Sequence, residues 1–138
     1  MPPLSNTQPV VRPRNNARLL LAEDNDVNLH IATAMLRSLN VDVETVHNGE
    51  QAVAALLQGS FDLVLMDCQM PVMDGFAATR AIRRQHPNIH LPIIALTANN
   101  ADGDHEHCLA AGMDDYLSKP FNREQLQAMV IKWLRPAV

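Results

Sequence analysis

The sequence has little of what marks disulfide-stabilised, nucleic-acid-binding or membrane-spanning proteins. Two cysteines among 138 residues, Cys68 and Cys108, cannot form a disulfide framework, so we expect both to remain thiols in a reducing compartment. With 11 basic and 15 acidic residues the net charge is −4, which gives no positive surface for nucleic acid. No apolar run is long enough to span a membrane, and no signal peptide follows Met1. We therefore expect a soluble, cytoplasmic domain with no nucleic-acid partner and no direct membrane contact.

The short motifs of several enzyme classes are also missing. The sequence contains five glycines but no glycine-rich phosphate loop, no GxSxG motif and no HExxH motif. His105, His107 and Cys108 form a weak zinc candidate, because they lack the paired spacing of structural zinc sites. Two histidines two positions apart also diverge on a helix. We predict that this segment is a solvated helix without a metal.

The composition changes once along the chain. Residues 1–17 contain four prolines and few large apolar side chains, which is typical of a flexible N-terminal tail or linker. The whole chain is 47% hydrophobic and 19% charged, so it can bury a core, and its length suits one domain. We predict a tail at residues 1–17 and a single domain at residues 18–138.

Strand and helix patterns alternate from Arg18 onward. Apolar or alternating runs predict five strands, at residues 19–22, 41–46, 61–66, 92–96 and 115–118. Helices separate them, with predicted caps at Asn25 or Asp26, Asp74 and Asn122. This alternation is typical of an α/β fold whose crossovers make a mostly parallel sheet covered on both faces. Residues 41–46 alternate apolar with acidic side chains, which predicts an exposed edge strand.

Three of the helices carry apolar residues close to helical spacing. In each we predict that these residues face the sheet. The predicted inward residues are Val27, Ile31, Ala34, Met35 and Leu39 in the first helix, Ala52, Val53, Leu56 and Leu57 in the second, and Leu126, Met129, Val130 and Trp133 in the last.

Charged side chains follow three of the predicted strands. Glu23 and Asp24 follow the first, Asp67 closes the third and Lys119 follows the fifth. The carboxyl ends of parallel strands meet at one edge of the sheet, where open α/β folds bind ligands. Mg²⁺ prefers oxygen ligands in a near-octahedral shell. The pattern favours a site for Mg²⁺ and a phosphoryl group. For Glu23 and Asp24 alone, the alternative is a solvated turn before a helix.

Asp67 can serve as a metal ligand only, or also as a nucleophile that forms an aspartyl phosphate. A carboxylate repels a phosphoryl group, so such a site needs positive charge, which Mg²⁺ and Lys119 would supply. Thr97, at the end of the fourth strand, can donate a hydrogen bond to a phosphoryl oxygen, or it can cap a turn. Pro120 holds Lys119 in an extended conformation and is a candidate for a cis peptide bond.

Taken together, these residues resemble a response-regulator receiver domain over residues 18–133. The family's order and spacing are matched by Glu23-Asp24, by Asp67, by Met70-Pro71-Val72-Met73-Asp74-Gly75, by Thr97-Ala98, and by Tyr116 with Lys119-Pro120. The resemblance implies a flavodoxin-like (βα)5 fold, a doubly wound parallel sheet with strand order 2-1-3-4-5. Segments 22–28, 66–76 and 110–116 are most similar to the receivers of hybrid sensor histidine kinases, although stand-alone receivers share much of the same sequence.

The resemblance assigns the residues of a metal site. Asp67 would be the phosphoacceptor. Glu23, Asp24 and Asp67 would bind Mg²⁺, together with the backbone carbonyl of Gln69.

It also assigns contacts and a switch. Thr97 and Lys119 would contact the phosphoryl oxygens. Movement of Thr97, with Tyr116 turning inward, would switch the face made by the fourth helix, fifth strand and fifth helix. Gln69 and Asn99 lie where the family sets the lifetime of the phosphoryl group.

The function that the resemblance implies is that of a phosphoacceptor in a bacterial two-component or phosphorelay system. The partners would be a histidine kinase, a histidine phosphotransfer domain, or both. The domain would catalyse its own phosphorylation and dephosphorylation, as part of a hybrid sensor histidine kinase; the alternative is a stand-alone single-domain response regulator.

Two other classes of protein are less compatible with the residues. A magnesium-dependent phosphohydrolase with a transient Asp67 nucleophile would need an acid at the position of Gln69. A binding module that is never phosphorylated would not need the complete set of acids, threonine and lysine.

Overall fold

The computed structural model describes residues 17–98 and 102–134, and for residues 102–104 it describes the backbone only. The predicted tail at residues 1–17 lies almost entirely outside this part, so the division into tail and domain stays a prediction. The first described residue, Ala17, is already in a strand.

The described residues form ten elements, and a short 3₁₀ turn at Arg37–Leu39 follows the first helix. The strands are β1 Ala17–Ala22, β2 Val41–Val46, β3 Leu63–Asp67, β4 Ile93–Thr97 and β5 Asp115–Ser118. The helices are α1 Asp26–Leu36, α2 Gly49–Gln58, α3 Gly75–Gln85, α4 Asp102–Ala111 and α5 Arg123–Trp133.

The five strands form one parallel sheet in the order β2-β1-β3-β4-β5. This confirms the doubly wound fold and the strand order 2-1-3-4-5. It also places β2 at an edge, as its alternating sequence predicted: Asp42 and Glu44 are exposed, whereas Val41 and Val43 are half-buried. Because all strands are parallel, their carboxyl ends meet at one edge of the sheet.

The helices cover both faces of the sheet, so each face has its own core. Alternate residues of β1 point to opposite faces, with Leu19 and Leu21 on one and Leu20 and Ala22 on the other. On the first face α1 and α5 bury Leu29, Ala32, Leu36, Leu126 and Val130. On the second face α2, α3 and α4 bury Ala52, Leu56, Ala78, Ile82 and Cys108.

Side-chain caps fix where four of the helices begin. Asn25, Asn48, Asp74 and Asn122 each accept a hydrogen bond from the amide three residues farther on, at 2.8–3.0 Å. The predicted caps at Asp74 and Asn122 are confirmed, and of the two candidates for the first helix the cap is Asn25. These caps set the points at which the chain leaves the sheet edge.

The predicted inward stripes of α1 and α2 are partly wrong. Val27 and Ile31 are 66% and 48% exposed and Ala34 is exposed too, whereas Leu29 and Leu36 are buried. The other two predicted residues, Met35 and Leu39, are partly buried against the core. Leu57 of α2 is 63% exposed, although Ala52 and Leu56 are buried as predicted. Helix α1 carries apolar residues on two sides, and periodicity alone does not show which side meets the sheet. The side with Leu29, Ala32 and Leu36 packs, and the side with Val27 and Ile31 faces solvent.

This assignment predicts different costs for two substitutions in α1. Leu36→Ala should lower the free energy of unfolding by about 2–5 kcal/mol, because it leaves a cavity in the core. Ile31→Ala should lower it by less than about 1 kcal/mol, because the side chain is half exposed. Urea denaturation monitored by circular dichroism measures both. Equal losses, or a larger loss for Ile31→Ala, would contradict the packing of α1.

Candidate functional site

The first acidic pair lies where the chain turns from β1 into α1. The amide of Glu23 still bonds to the carbonyl of Val46 at 3.1 Å, so Glu23 continues the strand and is only 3% exposed. Asp24 is already in the turn and is exposed. The amide of Asn25 donates to Glu23 Oε2 at 3.2 Å, which holds the Glu23 carboxylate in place. Two adjacent acids on a strand would point to opposite faces of the sheet and could not bind the same ion. Because the chain turns at Asp24, both carboxylates can face one site.

Asp67 is the last residue of β3, one residue beyond the predicted end of that strand. Its side chain is 5% exposed, and its Oδ1 accepts a hydrogen bond of 3.2 Å from the Gln69 amide. Gly75, the first residue of α3, packs directly against the backbone of Asp67, where a Cβ atom would collide with the Asp67 carbonyl oxygen. The loop after β3 therefore returns tightly beneath Asp67.

That loop contains a strained turn that the sequence did not reveal. The amide of Met73 bonds to the carbonyl of Pro71 at 2.7 Å, and Val72 between them has φ +70°. A positive φ is rare for a β-branched residue, and such strain costs about 1–3 kcal/mol. Val72 is also exposed beside the site.

Lys119 connects the two buried acids. Its backbone amide bonds to the carbonyl of Thr97 at 2.7 Å, and the peptide bond to Pro120 is cis, as the sequence indicated. Its Nζ lies 2.8 Å from Glu23 Oε1 and 3.3 Å from Asp67 Oδ2. Thus an ammonium group from the end of β5 bridges carboxylates from the ends of β1 and β3. The sequence pointed to Lys119 as a phosphoryl contact and did not reveal its short bond to Glu23.

The carboxylates are close enough to share one cation. One oxygen from each of Glu23, Asp24 and Asp67 lies within 4.8 Å of the others. Three carboxylates face one ammonium group, so the site has an excess of negative charge that a divalent cation would balance. Oxygen donors suit Mg²⁺, and the exposure of Asp24 leaves room for the waters that Mg²⁺ retains. The donor set therefore fits the predicted metal, and the role of the Gln69 carbonyl stays a prediction.

Burial and the shared lysine shift the ionisation of these groups in different directions. Burial raises the pKa of Asp67 to about 6, even though Lys119 opposes the change. Burial also acts to raise the pKa of Glu23, but hydrogen bonds from Lys119 and the Asn25 amide outweigh it and hold that pKa below its ordinary value. For Lys119, burial acts to lower the pKa, and the hydrogen bond to Glu23 outweighs it, so the pKa is raised.

Thr97 and Tyr116 occupy neighbouring strands. Thr97 is the buried last residue of β4 and lies one residue beyond Leu96, which pairs with Asp67. Tyr116 lies in β5 opposite Ala95, and its half-buried ring packs against the core. Their roles in contact and switching stay predictions. Asn99 lies outside the described residues.

The histidines of α4 pack against different elements. The ring of His105 stacks on Tyr116 with centroids 3.7 Å apart, and that of His107 stacks on Phe76 of α3 at 4.1 Å. The rings diverge, as two positions two residues apart on a helix should. The sequence favoured a solvated helix over a zinc site for this segment, and that prediction is partly wrong, because Cys108 and the His105 Nε2 are buried. Both stacks were missed.

A cavity of about 270 Å³ lies beside the acids, between α1 and the segment after β5. Its walls include Glu23 and Lys119, with apolar side chains from both segments: Ile31, Ala32, Met35, Pro120 and Phe121. The exposed side of α1 thus borders the charged site. This feature was missed because Ile31 was expected to face the core.

The chain belongs to the response regulator receiver domain family, whose sequence profile matches residues 19–131. It is similar to Sensor protein GacS of Pseudomonas syringae pv. syringae, with 43% identity over 96% of this chain and 14% of that protein. It is also similar to Hybrid signal transduction histidine kinase B of Dictyostelium discoideum, with 41% identity over 83% of this chain and 6% of that protein. The chain therefore spans a small part of these relatives, in which it resembles the receiver domain.

Solved structures show the same fold. The receiver domain of sensor histidine kinase PA1611 from Pseudomonas aeruginosa, which holds a magnesium ion in its active-site cleft, is 50% identical with a TM-score of 0.80, over 86% of this chain and 98% of that one. The receiver domain of Ssk1 from Saccharomyces cerevisiae, crystallised with the histidine phosphotransfer protein Ypd1, is 31% identical with a TM-score of 0.83, over 90% of this chain and 91% of that one. Within the described residues, no helix is long and apolar enough to cross a membrane.

The raised pKa of Asp67 predicts how its removal affects stability. Its pKa rises from 3.8 to about 6 on folding, so the folded protein holds this proton more tightly than the unfolded chain. The resulting stabilisation is present below about pH 4 and is lost as the pH rises through about 6. Without divalent cations, Asp67→Asn should therefore raise the free energy of unfolding by about 1–2 kcal/mol at about pH 7.5.

Urea denaturation over a range of pH measures this effect. The gain of Asp67→Asn should shrink below about pH 6 and vanish near pH 4. Asp42→Asn, at an exposed position in the edge strand, is the control and should change little. A loss of stability for Asp67→Asn at neutral pH would show that the bond to Lys119 outweighs the cost of burying the charge.

Proposed function

We propose that this chain is a phosphoacceptor domain that takes a phosphoryl group from a phosphohistidine onto Asp67 with the help of Mg²⁺. The observation that carries the proposal is the Lys119 ammonium, which bridges Glu23 and Asp67 at 2.8 and 3.3 Å, while Asp24 completes a group of three acids. This arrangement offers one nucleophilic oxygen, one fixed positive charge and oxygen ligands for a divalent cation. Phosphoryl transfer depends on such positioning and charge neutralisation.

The transfer requires ionised Asp67. Because its pKa is about 6, the carboxylate is ionised at neutral pH despite its burial. One of its oxygens attacks phosphorus, the P–N bond to the donor imidazole breaks, and the electron pair of that bond stays on the imidazole nitrogen. Bound Mg²⁺ would neutralise part of the charge that accumulates on the phosphoryl oxygens. Glu23, Asp24, Asp67 and the Gln69 carbonyl would hold it.

Lys119 would neutralise the rest of that charge. Its Nζ already lies 3.3 Å from the Asp67 carboxylate, so little movement is needed to reach a phosphoryl group attached there. Thr97 would contact another phosphoryl oxygen from the end of β4. That contact would draw Thr97 toward the site and let Tyr116 turn inward, which would switch the face made by α4, β5 and α5.

The donor would be a histidine kinase or a histidine phosphotransfer domain that docks beside the site. Ile31, which is 48% exposed on the apolar side of α1, lines the cavity beside Glu23 and Lys119. Val27, one turn earlier on the helix, is 66% exposed. Exposed apolar groups at such a position are typical of a binding surface. The Ypd1–Ssk1 complex shows that a receiver domain of this fold binds a phosphotransfer protein.

The chain would act as the receiver of a hybrid sensor histidine kinase, on the cytoplasmic side of the membrane. The similarity to histidine kinases, of which this chain matches 6–16% and one of which is a hybrid kinase, supports the proposal. Residues 1–17 would then be a linker to the preceding domain. The alternative is a stand-alone single-domain response regulator.

Phosphorylation by a small donor tests the proposal. Acetyl phosphate with Mg²⁺ should add one phosphoryl group that is stable in acid and labile in alkali, measured by intact-protein mass spectrometry. Asp67→Asn should abolish the addition, and Lys119→Ala should slow it at least about tenfold. The exposed Asp42→Asn should have no effect. No addition to the wild type, or addition that survives Asp67→Asn, would contradict the proposal, and steady turnover of phosphate esters would instead indicate a phosphohydrolase.

Docking on α1 is tested by separating the two kinds of donor. Ile31→Glu should reduce transfer from a phosphorylated histidine phosphotransfer domain at least about tenfold, since it puts a charge into an apolar contact. Phosphorylation by acetyl phosphate should not change, because the site itself is intact. Leu57→Glu, at a position that is 63% exposed on α2, is the matched control. Equal rates for Ile31→Glu and Leu57→Glu with the protein donor would exclude this docking surface.

A further inference from the structure

Two imidazole rings of α4 stack on aromatic rings of other elements. His105 stacks on Tyr116 of β5, with centroids 3.7 Å apart and planes 19° from parallel. His107 stacks on Phe76 of α3, at 4.1 Å and 11°. The stacks are alike in geometry, but only the first involves the residue to which the proposed function assigns the switch.

The His105 ring is held by packing. Its Nε2 is buried and has no hydrogen-bond partner among the described residues. A buried nitrogen without a partner is unfavourable, so the stacking contact must compensate for it. Stacked aromatic pairs contribute about 0.5–1.5 kcal/mol beyond the area that they bury.

We infer that His105 is a positioning residue that holds the Tyr116 ring against α4 and opposes the switch. This inference rests on the proposed function, in which Tyr116 must turn inward when Asp67 is phosphorylated. Tyr116 cannot leave its place without separating from His105, unless α4 moves with it. We therefore expect the stack to be present in the described state and lost in the switched one.

The position of Tyr116 links this contact to the phosphoryl site. Tyr116 lies opposite Ala95 in β4, and Thr97, two residues farther along β4, lies opposite Ser118. Lys119 then follows, with its amide bonded to the carbonyl of Thr97. The stack thus holds Tyr116, which pairs with the strand that ends in Thr97. Any interaction that favours one state lowers the apparent affinity of a ligand that prefers the other.

The test uses beryllofluoride, a phosphoryl analogue, in the presence of Mg²⁺. Its apparent affinity for the full chain is measured by titration, followed by the NMR signals of Thr97 and Tyr116. His105→Ala should bind roughly two- to tenfold more tightly than the wild type, because the stack no longer opposes the switch. His105→Phe should stay close to the wild type, since it keeps a stacked ring. His107→Ala, which removes the equivalent stack on Phe76, should also leave the affinity unchanged.

A double-mutant cycle separates this role from a general loosening of α4. In a Tyr116→Ala background, adding His105→Ala should no longer change the affinity, because its partner ring is gone. The inference is overturned if His105→Ala binds like the wild type, if His105→Phe shifts as much as His105→Ala, or if the shift persists without Tyr116. A wild-type chain that does not bind beryllofluoride at all would overturn the proposed function and this inference together.

Discussion

The ion pair from Lys119 to the two buried acids is the interaction on which the site depends. Glu23 and Asp67 come from adjacent strands and are almost inaccessible to solvent, so without a positive partner their charges would repel each other and lose hydration. Lys119 approaches from β5, with β4 in between. Neighbouring strands are about 4.8 Å apart, so β5 is roughly 10 Å from β3. Only a long side chain reaches across this gap. The strand order therefore requires that the residue after β5 be both long and positively charged.

The sequence predicted the parts of the fold that follow from local rules. Asp74 and Asn122 were identified as caps because their side chains replace backbone partners at helix ends, whatever the surrounding fold. The edge position of β2 followed from its acidic residues. The sequence also predicted that the residues of the site lie close together. This followed from one general property, that the carboxyl ends of parallel strands share an edge of the sheet. The strand order itself came from resemblance to a family, because periodicity does not determine it.

The sequence failed where the outcome depends on packing between distant elements. Helix α1 has two apolar sides, and the sheet buries the one with Leu29 and Leu36, so the prediction that Val27 and Ile31 face inward was wrong. The short bond from Lys119 to Glu23 is equally invisible, since nothing local distinguishes it from a bond to Asp67 alone. The positive φ of Val72 is a third example, because the local preference of valine opposes it. In the first two cases the local sequence is silent and packing decides the outcome, and in the third the tertiary structure overrides a local preference.

The exposed apolar side of α1 lies next to the charged site, and the two can contribute differently to the binding of a phosphoryl donor. Even when a divalent cation balances the negative charge of the three acids and Lys119, the site has no net positive charge to attract a phosphoryl donor, so electrostatics alone cannot bring the donor to Asp67. Burying apolar surface contributes about 25 cal/mol for each Å² removed from water and depends little on the charge of the partner. Ile31 is half exposed and lines the cavity beside Glu23 and Lys119, where such burial would hold a donor next to the acids. In the proposed function α1 would supply binding energy and Lys119 would supply charge, so each could change without destroying the other's contribution.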